Sequence, residues 1–278
     1  MVRRQLVCSG PAKPYSCSDD VIVLPAVRSV VDQLRASHAN NLLDLLDKAG
    51  LTTKLDTMED FTLFAPSEQA ISELPRAVLE ELAEDTESLE EILLHHVVRD
   101  HSHTVAEMAD NSELETAGGS SVRVNRLRNF GGRAGRAMVQ CSKIIQPDQK
   151  VCGGRVQTID RVLTPPRGNV LQTLQSLHPK FARLVSLAGL EEELAGGRHT
   201  VLAPLDEAFS QLEEISDSET AEKLVRSHLL SSPLCCASVL RSAGFLHELR
   251  VRSSLGETLS FHRSNGGNIY ANKAAIVR

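Results

Sequence analysis

The chain contains no tryptophan, only two tyrosines and no stretch of 18 consecutive apolar residues. With aromatic residues at 3% of the total, it lacks the stacking platforms that hold bases and sugars. A formal net charge of −6 further argues against a nucleic-acid partner. The missing apolar run excludes a helical membrane span and any insertion of this chain into a bilayer. Basic residues open the sequence, but no apolar stretch follows them, so Met1–Gly10 does not read as a signal peptide. No apolar tail offers a lipid anchor. Asn-x-Ser/Thr acceptors are absent, and so is an Arg-Gly-Asp tripeptide. Enzyme signatures are missing too: there is no Gly-x-Ser-x-Gly elbow, phosphate-binding loop, His-Glu-x-x-His or Rossmann glycine pattern. The expectation is a protein without catalysis, cofactor or resident metal.

What remains is ordinary globular composition, 41% hydrophobic and 24% charged, in a length that accommodates two domains with separate cores. The informative feature is a repeat. "FTLFAPSEQA" (Phe61–Ala70) returns 138 residues later as "HTVLAPLDEA" (His199–Ala208). Upstream of the first copy, Leu42, Leu43, Leu45, Leu46 and Ala49 form a helical stripe, and Gly50 stands where a left-handed cap is wanted. "FARLVSLAGL" repeats that design, with Gly189 as the stop. Phe61–Ala65 reads as a strand entering a core, Pro66 as its end, and Ser67 as the cap of a helix starting at Glu68. Leu205 replaces Ser67 in the second copy, so the second helix start is expected to be weaker.

Further on, "LEEILLHHVV" and "AEKLVRSHLL" read as amphipathic helices carrying a histidine at one matching place, His96 and His228. Strands follow: "SSVRVN", "AMVQCSKII" and "GRVQTIDRVL" in the first copy, "ETLSFH" and "NIYANKAAIV" in the second. Val139, Gln140 and Lys143 are matched to Ile269, Tyr270 and Lys273. Helices before strands in each copy argue for α+β rather than a parallel α/β sheet.

This order of motifs, present twice, resembles tandem fasciclin domains, and within them the matrix adhesion group that includes periostin, keratoepithelin and midline fasciclin. The resemblance implies an α+β fold with helices packed on a small β-sandwich or wedge. It divides the chain into a cysteine-containing leader at 1–20 that resembles the end of an EMI module, a complete domain at 21–164, a linker at 165–169, and a second domain at 170–278. The second copy runs only five residues past Lys273 and is expected to lack its last strand. That omission leaves an open sheet edge and implies a fragment of a longer protein. Implied too are an extracellular location, secreted or at the cell surface, and binding of integrin-type receptors, collagen or other matrix proteins; heparan sulfate is a further candidate partner, read from the arginine cluster at 123–136 rather than from the resemblance. The alternative is a structural spacer that binds collagen or itself without touching a receptor.

Cys8 and Cys17 would close a short loop worth on the order of 2.5–3 kcal/mol. Cys141 and Cys235 occupy places that resemble an inter-domain bridge of the matrix relatives, which leaves Cys152–Cys236; a local Cys141–Cys152 bridge competes. Bridges belong to an oxidising compartment.

Four histidines in "HHVVRDHSH", His95, His96, His101 and His103, raise a metal site, although His95 and His96 are helical neighbours pointing apart. In fasciclin domains the histidine of this box is internal, which implies structural roles for His96 and His228. The family's Tyr-His receptor motif would map onto His95 and His96, with histidine in the tyrosine place. "QPDQ" (Gln146–Gln149) resembles a second receptor-contact stretch, and an exposed Asp148 after Pro147 could complete a receptor-bound cation. Arg123, Arg126, Arg128, Arg133 and Arg136 form a basic edge suited to sulfate groups. The acidic run from Glu80 to Glu91 reads as a solvated helix face.

Overall fold

The computed structural model describes residues 27–128, 134–166, 168–196, 199–210, 215–235, 249–264, 266 and 268–277, with backbone alone at 81, 83, 127–128 and 134–136. Two compact units divide between Pro165 and Pro166.

Unit 1 opens with three short helices, α1 (Val30–Ala36), α2 (Asn40–Lys48) and α3 (Thr52–Thr57), then strand β1 (Phe61–Pro66). Helices α4 (Glu68–Ser72), α5 (Arg76–Glu84) and α6 (Thr86–His95) lead to β2 (Val97–Val98), β3 (Glu113–Glu115), β4 (Ser121–Arg128), β5 (Ala134–Val139), β6 (Ser142–Val151) and β7 (Gly154–Ile159). The strands form one sheet in the order β2-β1-β7-β6-β5-β4-β3. Every pairing is antiparallel except β1 with β7, which runs parallel from Phe61↔Gly154 to Pro66↔Ile159. A single bridge, Val98↔Thr116, ties the two edges of the sheet together. The sheet is therefore curled, and its inner face holds Phe64, Val122, Val124, Val139, Ile144 and Ile159. Its other face packs on the helices through Phe61, Leu63, Val151 and Val156 against Val30, Leu34, Leu42, Leu46 and Leu89. β1 is central and buried along its whole length, as expected of a strand covered on both faces. The fold is α+β.

Unit 2 repeats the plan. It contains α7 (Val170–Leu177), α8 (Pro179–Leu187), α9 (Glu191–Gly196), β8 (Thr200–Val201), a 3-10 turn at Asp206–Phe209, α10 (Ser218–Ser227), β9 (Leu229–Leu230), β10 (Leu249–Arg252), β11 (Thr258–Arg263), β12 (Ile269–Ala271) and β13 (Ala274–Ile276). Here β8 pairs only with β9 among the described residues, and β10–β13 make a second sheet.

Local chemistry sets the element ends. Gly50 and Gly189 adopt φ of 67° and 65°, the left-handed stops expected after α2 and α8. Ser67 Oγ accepts from the Ala70 amide at 3.2 Å and caps α4. At the same point in unit 2, Leu205 offers no side-chain cap, and the helix shrinks to one 3-10 turn. Pro66 belongs to β1 rather than ending before it. Its missing N–H costs nothing, because even-numbered amides of β1 face β2, which stops short of it.

Two strand readings need correction. "AMVQCSKII" is a hairpin, not one strand: Gln140 and Cys141 sit at φ of 46° and 66° between β5 and β6. "NIYANKAAIV" turns likewise at Asn272 and Lys273, with Asn272 at φ 52°. Aligning these turns matches Val139 with Ala271, not with Ile269. An alternating pattern runs through a two-residue turn without a break in hydrophobicity, so the turn is invisible to periodicity.

Candidate functional site

The histidine box lies where α6 runs into β2. His95 and His96 are 0% and 1% exposed. His96 Nδ1–H donates to the Ile92 carbonyl at 2.7 Å, and its Nε2 accepts from the Leu163 amide at 2.9 Å. The ring thereby ties the end of α6 to the segment following β7. Burial pushes its pKa down to about 4, so the neutral form, which alone has one donor and one acceptor nitrogen, is held. His95 takes the opposite tautomer. Its Nε2–H donates to Gln140 Oε1 at 3.1 Å, and Nδ1 accepts from the Ser120 hydroxyl at 2.6 Å. Gln140 in turn donates to the Thr164 carbonyl at 2.9 Å. Burial lowers the His95 pKa as well, against the raising effects of the Gln140 bond and Glu91.

Both rings are thus inaccessible, and neither is a surface contact in this fold. A direct receptor role for His95 and His96 is corrected accordingly: the helix turn that points them apart points both into the core. His228 repeats the first half of the pattern, with Nδ1 2.9 Å from the Leu224 carbonyl, and Phe181 packs against its ring at 5.7 Å. It is only half-buried, and no described residue meets its Nε2.

The remaining histidines of "HHVVRDHSH" lie on the loop after β2. The His101 and His103 rings lie 4.2 Å apart between centroids, tilted by 51°. Among the described residues no three His, Cys, Asp or Glu side chains are grouped to hold a metal.

Asp148 is not on an exposed loop. Gln146–Gln149 lies within β6, where the register against β7 slips twice, between Ile144 and Gln146 and between Gln146 and Gln149. Asp148 adopts φ 58° in this bulge, a conformation Asp tolerates better than most residues. Its amide donates to Gln157 Oε1 at 2.7 Å. Its Oδ1 accepts from the Val105 amide and from Gln157 Nε2, both at 2.9 Å. The carboxylate therefore fastens the loop at 103–105 to the sheet. What the bulge exposes is Ile145, at 44%, together with Gln146 and Pro147. Gln157, fully buried on β7, is the residue that sequence reasoning misses. The one signal for it is a glutamine between Val156 and Ile159 in a segment that reads as a strand.

The basic edge is partly spent inside the unit. Arg123 pairs with Glu113 at 2.8 Å across β3 and β4, and the Arg126 guanidinium donates to the Val105 carbonyl. Arg133 and the side chains of Arg128 and Arg136 lie outside the described residues. The acidic run is exposed apart from half-buried Glu90 and the undescribed side chain of Glu81, and Asp85 caps α6 through the Glu87 and Ser88 amides.

Cys141, Cys152 and Cys235 are disulfide-bonded. Cys141 and Cys152 flank the ten-residue strand β6. At about 3.3 Å per residue they stand roughly 30 Å apart, whereas a bridge needs Cα atoms within about 7 Å. The local Cys141–Cys152 bridge is excluded. Cys8, Cys17 and Cys236 lie outside the described residues, and the Cys8–Cys17 and Cys152–Cys236 pairings with them.

A family model described as the fasciclin domain matches residues 37–165 and again 176–278. The chain belongs to the fasciclin family. Among curated fasciclin proteins it is 27% identical to transforming growth factor-beta-induced protein ig-h3 of Sus scrofa, over 99% of this chain and 42% of that protein. It is 26% identical to human periostin, over 83% of this chain and 29% of that protein. The chain thus spans less than half the length of these relatives. A solved FAS1 domain pair from the insect cell adhesion molecule fasciclin I aligns over 89% of both chains at 17% identity, with a TM-score of 0.37.

Proposed function

We propose that this chain is an adhesion module of the extracellular matrix or cell surface, which recognises an integrin-type receptor or a matrix protein without catalysis. The observation that carries the reading is the fate of its polar groups. His95, His96 and the Asp148 carboxylate, which could do chemistry or grip a cation, are committed to hydrogen bonds inside the unit. A rigid sheet, meanwhile, displays an apolar bulge at Ile145–Pro147. Surfaces that bind proteins take this form, with an exposed apolar anchor beside polar residues. Disulfide-bonded Cys141, Cys152 and Cys235 support an oxidising, extracellular setting, and a Cys141–Cys235 bridge is part of the proposal. Two such units in one chain add avidity where each contact is weak.

Cell attachment to a surface coated with the oxidised chain tests this in three arms: magnesium, chelator and added heparin. Saturable attachment lost in chelator is the expected result. Loss with heparin alone would move recognition to the arginine edge. Attachment in no arm would overturn the receptor reading and leave a matrix spacer.

A further inference from the structure

One strand carries opposite charge in the two units. The bridge Leu230↔Ser253 matches Val98↔Thr116, which sets β10 on β3 residue for residue. Glu113 and Glu115 of β3 thus correspond to Arg250 and Arg252 of β10, and all four are exposed. In unit 1 Arg123 stands opposite Glu113 and pairs with it at 2.8 Å. The counterpart of Arg123 in unit 2 is Ser260, opposite Arg250. Where unit 1 holds two acids and a counter-ion, unit 2 holds two arginines beside a hydroxyl.

The register defines the face around them. Leu249, Val251, Leu259, Phe261, Ile269 and Ala271 turn inward to an apolar cluster of unit 2. A period of two therefore places Arg250, Arg252, Thr258, Ser260, His262 and Tyr270 together on the other face. Arg252 lies opposite Thr258, and His262 lies opposite Tyr270, their rings stacked 5.3 Å apart and 11° from parallel. Asn272 donates its amide to the Ser260 carbonyl at 2.7 Å, and its Oδ1 accepts from the Ser260 amide at 2.9 Å. This sets the β12–β13 turn, with exposed Lys273, on the far side of β11 from Arg250. Between Leu249 and Val277 the one carboxylate side chain is Glu257, in the β10–β11 turn, against Arg250, Arg252, Arg263 and Lys273. In a chain of net charge −6, this is a basic face.

We propose that this face of unit 2 binds a sulfated polysaccharide of the matrix. A guanidinium presents paired N–H donors that match two oxygens of one anionic group. Successive arginines on one side of a strand repeat at about 7 Å, and the Thr258 and Ser260 hydroxyls supply further donors beside them. Apart from Tyr270, no large apolar side chain stands among the described residues of the face. It therefore lacks the buried anchor that a protein partner uses, whereas a polyanion held by charge-assisted hydrogen bonds needs none. The site lies in the other unit from the Ile145–Pro147 bulge and uses none of the arginines at 123–136.

The test is titration of the full oxidised chain with a heparin-derived octasaccharide, read as affinity and as amide shifts. Expected are saturable binding that weakens with added salt, and shifts at Arg250, Arg252, Thr258 and Ser260. Arg250→Ala combined with Arg252→Ala should weaken binding about tenfold or more and make its salt dependence shallower. The thermal midpoint should stay in place, because both side chains are exposed. Lysine at both positions keeps the charge but loses the paired donors, so its affinity should fall between. A desulfated octasaccharide should not bind. Four results would each overturn the proposal: no binding, equal binding of the desulfated sugar, equal binding of polyglutamate, or binding lost in Arg133→Ala with Arg136→Ala but kept in the β10 variant.

Discussion

His96 gives both ring nitrogens to backbone groups, and a pH dependence of stability follows. Folded His96 takes a proton only near pH 4, while the unfolded side chain does so near 6.5. Between those values the unfolded chain binds more protons, so stability falls as pH drops from 6.5 toward 4, by up to about 3 kcal/mol. His95, also lowered by burial, adds in the same direction. Urea titrations at pH 7.5 and 4.5 should show this loss, and a smaller one in His96→Gln. At neutral pH, His96→Ala leaves the Leu163 amide without its acceptor and opens a cavity, at a cost of about 3–5 kcal/mol. Asp148→Ala removes the acceptor for Val105 and Gln157 and should cost about 1–3 kcal/mol. Faster amide exchange at residue 105 would check it. Lost attachment in that variant alone would therefore not identify a contact residue. The family resemblance places His96 inside, as the structure does, but the reading of Gln146–Gln149 leaves Asp148 outside. A carboxylate beside proline reads as a turn, and nothing local reveals that Gln157 waits on the next strand.

Among the elements, the helix after β1 and its counterpart after β8 form an internal experiment on capping. Ser67→Ala should destabilise unit 1 by about 1 kcal/mol. Leu205→Ser, which places a hydroxyl three residues before the Ala208 amide and removes a 47% exposed leucine, should stabilise unit 2 by about 0.5–1 kcal/mol. Thermal unfolding of both variants measures the pair. The β6–β7 turn is stricter. Gly153 sits at φ 77° with a would-be Cβ 2.1 Å from the Met58 carbonyl oxygen. Gly153→Ala should therefore cost about 2 kcal/mol or more through strain and displacement of α3. Helix stops and caps were legible because single residues dictate them. The hairpin turns at Gln140–Cys141 and Asn272–Lys273 were not, because an extended pattern continues through both, and the bulges in β6 depend on partners across the sheet.

For the whole molecule, the repeat written as two similar phrases becomes two units of unequal finish. β1 is enclosed on both faces and both edges. β8 is half-buried and bonded on one edge among the described residues, so unit 2 should open at lower denaturant than unit 1. Exchange at Leu229 and Leu230 should rise before exchange at Leu63 and Val97. The family, the α+β class and the tandem order could all be read from motif order, since each motif is a local mechanical device. Function could be read only as coarsely as an adhesion module, because His95, His96 and Asp148, which looked like contacts, hold the fold together. The account therefore turns on whether the bulge at Ile145–Pro147 is the recognition surface. The decisive measurement is cell attachment, in magnesium, to coats of the wild-type chain and of Ile145→Asp. This exposed substitution should leave the thermal midpoint in place. The account predicts saturable attachment to the first and its loss on the second. Equal attachment to both would contradict it.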